Sequence, residues 1–133
     1  MSEEFKKYLE KSKFDKYLLK LNKKLKDKKI VVYGAGSFFN YIKENYDLSK
    51  LNIIGISDLK FDEEQEGQEC LGYKIIPKNK IASYNPDCVL VATLRYIGII
   101  EDFELNLFKD TKIRVYPFVR MPFWNLVKQI WLT

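Results

Sequence analysis

The apolar residues of the chain recur with two alternating periods. From Ser2 to about Lys26, Phe5, Tyr8, Leu9, Phe14, Leu18, Leu21 and Leu25 fall at steps of three and four among lysines and a few acids, which predicts an amphipathic helix broken near Ser12. Ile30-Val31-Val32-Tyr33 then forms a short β-branched run that stops at Gly34, as a buried parallel strand would. Helical spacing returns from Ser37 to about Tyr46 through Phe38, Ile42 and Tyr46, with Ser37 placed in the first turn. A second strand is predicted over Asn52–Ser57, ending at Asp58, and an acid-rich loop runs from Lys60 to Glu69.

Tyr73-Lys74-Ile75-Ile76 before Pro77 reads as a third strand, and residues 79–84 as one or two helical turns. Cys88-Val89-Leu90-Val91-Ala92-Thr93 is the most continuously apolar strand, which suits the centre of a sheet covered on both faces. Helical spacing over Ile97–Phe108 precedes a fifth strand, Lys112–Tyr116. Such alternation predicts an α/β fold: a Rossmann-like parallel sheet of about five strands in the order 3-2-1-4-5, joined by right-handed crossovers. Beyond it, Pro122 opens a short C-terminal helix with Phe123, Trp124, Val127, Ile130 and Trp131 on one face. The expected organisation is an N-terminal amphipathic segment (1–29), the Rossmann-like domain (30–116) and an aromatic tail (117–133).

With 133 residues the chain has room for one ordinary domain but not for a cofactor domain followed by a separate substrate domain. It contains no histidine, which removes the commonest general base and the commonest zinc ligand, so Ser-His and Cys-His chemistry is excluded. Cys70 and Cys88 have no metal-type spacing and read as reduced thiols; no metal is expected. No run approaches the roughly 20 apolar residues of a membrane span, and the charged N-terminus lacks a signal-peptide core, so a cytoplasmic location is expected. The net charge of +5 is concentrated in residues 1–29, which hold 11 lysines against five acids.

Chemistry gathers at Tyr33-Gly34-Ala35-Gly36-Ser37-Phe38-Phe39, between a strand and a helix. In such a turn the first glycine permits the tight bend and the second lets backbone approach a phosphate at the helix N-terminus. Gly34, Ala35, Gly36, Ser37 and Phe38 are therefore the candidate phosphate-binding residues. Phe39 stands where the dinucleotide fingerprint has its third glycine, which departs from a full dinucleotide site. Asp58, at the end of the second strand, can accept from ribose hydroxyls and would repel a 2′-phosphate, which favours NAD over NADP; alternatively it only opens the acidic loop. Thr93 and Arg95 end the central strand beside the crevice where open α/β sheets bind ligands, and Tyr96 could stack there.

Four blocks together, Ile30–Gly36, Ile54-Gly55-Ile56-Ser57-Asp58, Gly72–Pro77 and Asp87–Thr93, resemble a small Rossmann domain of surface-polysaccharide enzymes. That domain precedes acyltransferase domains acting on nucleotide sugars, occurs within sugar-nucleotide dehydratases, and stands alone as a short protein. The resemblance covers residues 30–93 and implies binding of NAD(P) or a sugar nucleotide in sugar-nucleotide or surface-polysaccharide biosynthesis. It leaves open an oxidoreductase or epimerase completed by a partner subunit, and an interaction module that has lost its ligand.

Tyr46 and Lys50 have the Tyr-x-x-x-Lys spacing of sugar-nucleotide dehydrogenases, but they directly follow the first helix of the domain, so the match is read as chance. No Gly-Lys-Ser/Thr follows the glycines. The lysine-rich N-terminal helix reads as a solvated helix docked by its apolar face, with nucleic acid set behind as a partner. Two apolar surfaces, that helix and the tail, flank one small domain, which predicts a homodimer or a protein partner anchored by Trp124 or Trp131.

Overall fold

The computed structural model describes residues 2–122; the predicted C-terminal helix with Trp124 and Trp131 lies outside them. Two helices, α1 (Ser2–Lys11) and α2 (Phe14–Lys24), open the chain, followed by β1 (Lys29–Tyr33), α3 (Ser37–Asn45) and β2 (Asn52–Ser57). A hairpin of β3 (Glu69–Cys70) and β4 (Tyr73–Lys74) leads to a 3-10 segment, Lys78–Tyr84. Then come β5 (Cys88–Val91), α4 (Ile97–Asp102) continuing into a π-helical turn (Phe103–Leu107), and β6 (Arg114–Pro117).

The main sheet runs β2-β1-β5-β6, with every pair parallel. This is the Rossmann-like α/β architecture expected, with one correction at its edge. The predicted third strand, 73–76, does not run as a strand beside β2. Tyr73 and Lys74 pair backwards with Glu69 and Cys70, and only Ile75 makes a parallel bridge, to Ile56. Ile76 N–H donates to Ile56 O at 2.8 Å, so the 3-2-1 order survives as one contact. Gly55 makes that contact possible, since a Cβ there would collide with the Ile76 side chain and lie 3.0 Å from Lys74 O. The sheet therefore has four strands.

Strand period sorts the core into two layers. Ile30 and Val32 of β1 join Leu90 and Ile56 against α2 and α3, while Val31 and Tyr33 join Val89, Val91 and Val115 against α4 and the 3-10 segment. Phe14, Phe39 and Phe118 fill the first layer and Phe103 the second, each worth about 1.5–3 kcal/mol when fully buried. The helix predicted over 97–108 changes pitch after Asp102. Phe108 N–H donates to Phe103 O at 2.7 Å, and this five-residue turn brings both phenylalanines to the same inward face, 5.4 Å apart.

The N-terminal helix breaks where its pattern breaks: Lys13 takes left-handed backbone (φ 53°) between α1 and α2. Residues 1–29 do not form a segment apart from the domain. Phe5, Leu9, Phe14, Leu18, Leu21 and Leu25 all enter the first core layer. The apolar stripe offered above as a possible subunit interface is thus covered within the chain's own core, Phe5 against Phe38 and Tyr41 of α3 and Phe14 against Tyr46 and Phe118. Among the described residues, no helix is long and apolar enough to cross a membrane.

Candidate functional site

The site develops at the carboxyl ends of β1 and β5, which are adjacent strands with connections leaving in opposite directions along the sheet. Gly34 leaves β1 with φ +119°, a region L side chains avoid, and a Cβ there would lie 2.8 Å from Ala92 O. Conformation and close packing against the end of β5 both demand glycine. Gly36 differs: its backbone is extended (φ −95°, ψ −168°) and a Cβ would meet nothing within 4 Å. The fold does not require that second glycine. Gly36 is the N-cap of α3, no side chain caps this nine-residue helix, and Gly36 and Ser37 are exposed. The first-turn N–H groups of a helix lack intrahelical partners, so α3 presents donors and a positive dipole end here.

Asp58 braces the turn. Its Oδ2 accepts from Ala35 N–H at 2.7 Å and its Oδ1 from Lys60 N–H at 3.1 Å. The Lys60 ammonium donates in turn to Ala35 O at 3.1 Å, and Gly34 N–H donates to Ser57 O at 2.8 Å. Beside the two readings of Asp58, ribose acceptor and opener of the acidic loop, the structure shows a third role: the carboxylate fixes the glycine turn to the end of β2. Lys60 brings a cation beside Ala35. Tyr33, at the base of the turn, has its hydroxyl pKa raised by burial and then by the nearby Asp58 and Asp102 carboxylates, with the Leu59 backbone opposing.

The opposite arm is the β5–α4 loop. Ala92 N–H donates to Tyr33 O at 2.7 Å, which joins the two arms, and Thr93 Cγ2 would lie 3.2 Å from a Cβ on Gly34. Thr93 Oγ1 donates to Arg95 O at 3.0 Å and so holds the loop, leaving the Arg95 side chain exposed. Tyr96 is buried rather than open for stacking, with its hydroxyl accepting from Met121 N–H at 3.3 Å.

Phe38 also departs from expectation. It lies buried beneath α1, its ring 5.2 Å from Phe5 and 6.0 Å from Tyr8, both edge-on. Its backbone N–H remains a candidate donor while its side chain belongs to the core. Phe39 is fully buried between Tyr73 and Phe118. A phenyl ring fills the space that close helix–strand packing over a glycine would eliminate. Tyr46 sits at the far end of α3 from the glycine turn, edge-on to Phe14, and the residues between it and Lys50 are not helical, so the pair is not one helical turn apart.

The structure thus brings Gly34, Ala35, Gly36, Ser37 and Asp58 into one constellation, with Thr93 against Gly34 and Arg95 beyond it. Sequence reasoning missed Lys60, which was one lysine in a polar loop, and Ser57, which is fully buried with an unpartnered Oγ. The Asp58-Leu59-Lys60 spacing was the available signal, since an aspartate readily accepts from the N–H two residues on. Cys88 lies in the sheet interior, where burial pushes its thiol up to about 12, as suits an inert packing residue.

Fold and turn define a Rossmann-like α/β domain with a glycine turn at the switch point of its sheet. The model of the family described as C2185-like, N-terminal, matches residues 26–113, and the chain belongs to that family. The match runs from just after α2 to just before β6. No curated protein matches the chain.

Proposed function

We propose that the protein is a binding domain for NAD or a sugar nucleotide, working in sugar-nucleotide or surface-polysaccharide metabolism. One observation carries the reading: Gly36, which the fold could replace, faces open space at the uncapped N-terminus of α3. A glycine without a structural reason, beside helix donors, is what close approach of a phosphate requires. Lys60, whose ammonium donates to Ala35 O, brings positive charge to that turn, and Arg95 is exposed on the neighbouring β5–α4 loop. Between the nicotinamide cofactors, the Asp58 carboxylate opposes the 2′-phosphate of NADP.

A ligand-free interaction module is favoured by a different observation. Asp58 already accepts from Ala35 and Lys60, and Phe5 and Tyr8 cover Phe38. Calorimetry with NAD, NADP and UDP-sugars on the parent and on Gly36→Val decides between them. Saturable binding that disappears in a Gly36→Val protein of unchanged thermal stability is the expected result. Binding unaffected by Gly36→Val places the ligand elsewhere, and a parent that binds none of these supports the module.

A further inference from the structure

Positive charge and exposed apolar surface coincide on the outer face of α2, just past the elbow between α1 and α2. Phe14, Leu18 and Leu21 turn inward, and on the opposite side Lys16, Lys20 and Lys23 are exposed at steps of three and four, with Lys13 just ahead of them. Asp15 is the one acid in the helix. Leu19 stands among these lysines and is 61% exposed. The chain beyond β6 is held to the same face: the Tyr17 hydroxyl donates to Pro117 O at 2.7 Å, the Arg120 guanidinium lies 5.9 Å from the Tyr17 ring, and Lys13, Lys16 and Lys20 border one depression with Arg120, Met121 and Pro122. Whatever follows Pro122 therefore departs beside the lysines.

Residues 123–133 hold both tryptophans of the chain, four aliphatic side chains, one lysine and no acid. Negative charge is kept at a distance, since the five acids of residues 62–69 follow β2, at the other edge of the sheet from β6. The molecule is polarised. Lysines on flexible, solvated stems suit a diffuse plane of anions better than the fixed charges of a folded partner. A nucleic acid would use the cations but not Leu19, Leu126, Val127, Ile130 or Leu132, whereas a bilayer takes tryptophan at headgroup depth and aliphatic groups just beneath it. One partner uses every part. We propose that the outer face of α2 and residues 123–133 form a single docking surface for an anionic membrane. Lys13, Lys16, Lys20, Lys23 and Arg120 lie against lipid phosphates while Trp124 and Trp131 enter the headgroup region, and the acids beyond β2 point the opposite edge of the sheet away. Charge and apolar contact are each weak alone and give stable attachment together. This assignment does not depend on nucleotide binding at Gly36.

Because both tryptophans lie in the docking segment, the fluorescence of the full chain reads the contact directly. Vesicles of equal parts phosphatidylglycerol and phosphatidylcholine should shift the emission to the blue, and lipids brominated near the headgroup end of the acyl chain should quench it. Phosphatidylcholine alone should bind about tenfold or more weakly, and salt should release the protein from the anionic vesicles. Lys16→Gln/Lys20→Gln/Lys23→Gln should weaken vesicle binding about tenfold or more, while the charge-matched Lys74→Gln/Lys109→Gln/Lys112→Gln, exposed elsewhere on the domain, should change it by about twofold at most. Trp124→Ala/Trp131→Ala, followed by vesicle sedimentation, should also lose about tenfold or more. If a variant fails to fold, quenching of the parent and its loss in salt carry the test. Absence of quenching, equal quenching on phosphatidylcholine alone, or equal weakening by the control lysines overturns the proposal. A dimer whose tryptophans no vesicle reaches would overturn it in favour of an interface between copies, and tighter binding of a single-stranded oligonucleotide than of vesicles at equal salt would do so in favour of nucleic acid.

Discussion

Two turns at the carboxyl edge of the sheet open helices, and they are built from opposite materials. The β1–α3 turn is glycine-lined and tied down by an acid, with Asp58 accepting from Ala35 N–H and Lys60 returning a bond to Ala35 O. The α1–α2 elbow is lysine-lined and held by a left-handed lysine, Lys13, with φ 53°. The first fixes backbone donors in place and leaves one small opening at Gly36. The second gathers side-chain charge on flexible stems. Precision of approach resides in the glycine turn, strength of charge in the elbow, and the two should respond differently to substitution, salt and pH.

The sharpest contrast lies within the glycine turn itself. Gly34→Val adds a side chain at φ +119° and drives its Cβ against Ala92 O, so strain and overpacking combine. The expected loss is about 3 kcal/mol or more, enough to unfold a marginal domain, and urea denaturation reads it. Gly36→Val should change stability by less than about 1 kcal/mol, since its Cβ meets nothing and only N-cap preference is affected. Equal losses at both positions would erase the distinction between a glycine needed by the fold and one left for a ligand.

A smaller effect is expected at Asp58, where an acid beside a glycine turn has two duties to separate. Asp58→Ala removes the acceptor of Ala35 N–H and should cost about 1.5–3 kcal/mol, the range for hydrogen bonds to a charged group. Asp58→Asn keeps an acceptor oxygen and should recover about half of that. On the nucleotide reading, Asn should also narrow any preference for NAD over NADP, because the repulsion toward a 2′-phosphate is gone. If Asn restores stability and leaves the NAD to NADP ratio untouched, Asp58 is a brace only.

The two turns also differ in how far they could be read from the chain. Gly34, Ala35 and Gly36 were legible because a strand period ends and a helix period begins around them, and that context gives a glycine pair its meaning. The four parallel strands followed from the same periodicity. Residues 73–76 misled because an apolar run before proline looks like a strand whether it pairs along its length or at one residue, and the hairpin partner, Glu69-Cys70, is polar and short. The side chains of Phe38 and Tyr96 were illegible for a related cause: sequence places them beside a crevice but cannot show that α1 folds over one and that the backbone at Met121 claims the hydroxyl of the other. The contact between α2 and the chain beyond β6 was invisible. Arg120 is 100 residues or more from Lys11–Lys20, and only the fold brings it to the Tyr17 ring.

The mildest test falls at the elbow's anchor, Tyr17. Burial raises its hydroxyl pKa to about 12 from the ordinary 10, with the Tyr96 and Tyr116 hydroxyls adding and Arg120 opposing. The folded state therefore favours the neutral phenol, whose proton is donated to Pro117 O. Since the unfolded chain titrates near 10, this contribution is fully present below that pH and is lost as pH rises toward and through 12. Tyr17→Phe should be less stable than the parent by about 1 kcal/mol near neutrality, the worth of one hydrogen bond. It should also lose stability less steeply between about pH 10 and 12, because one of the groups that must ionise on unfolding is gone. Tyr8, raised to about 12 chiefly by its own burial, keeps part of the slope in the variant. Urea midpoints at about pH 8 and about pH 11 compare the two proteins, and identical slopes would show that the phenol at the elbow does not couple its proton to the fold.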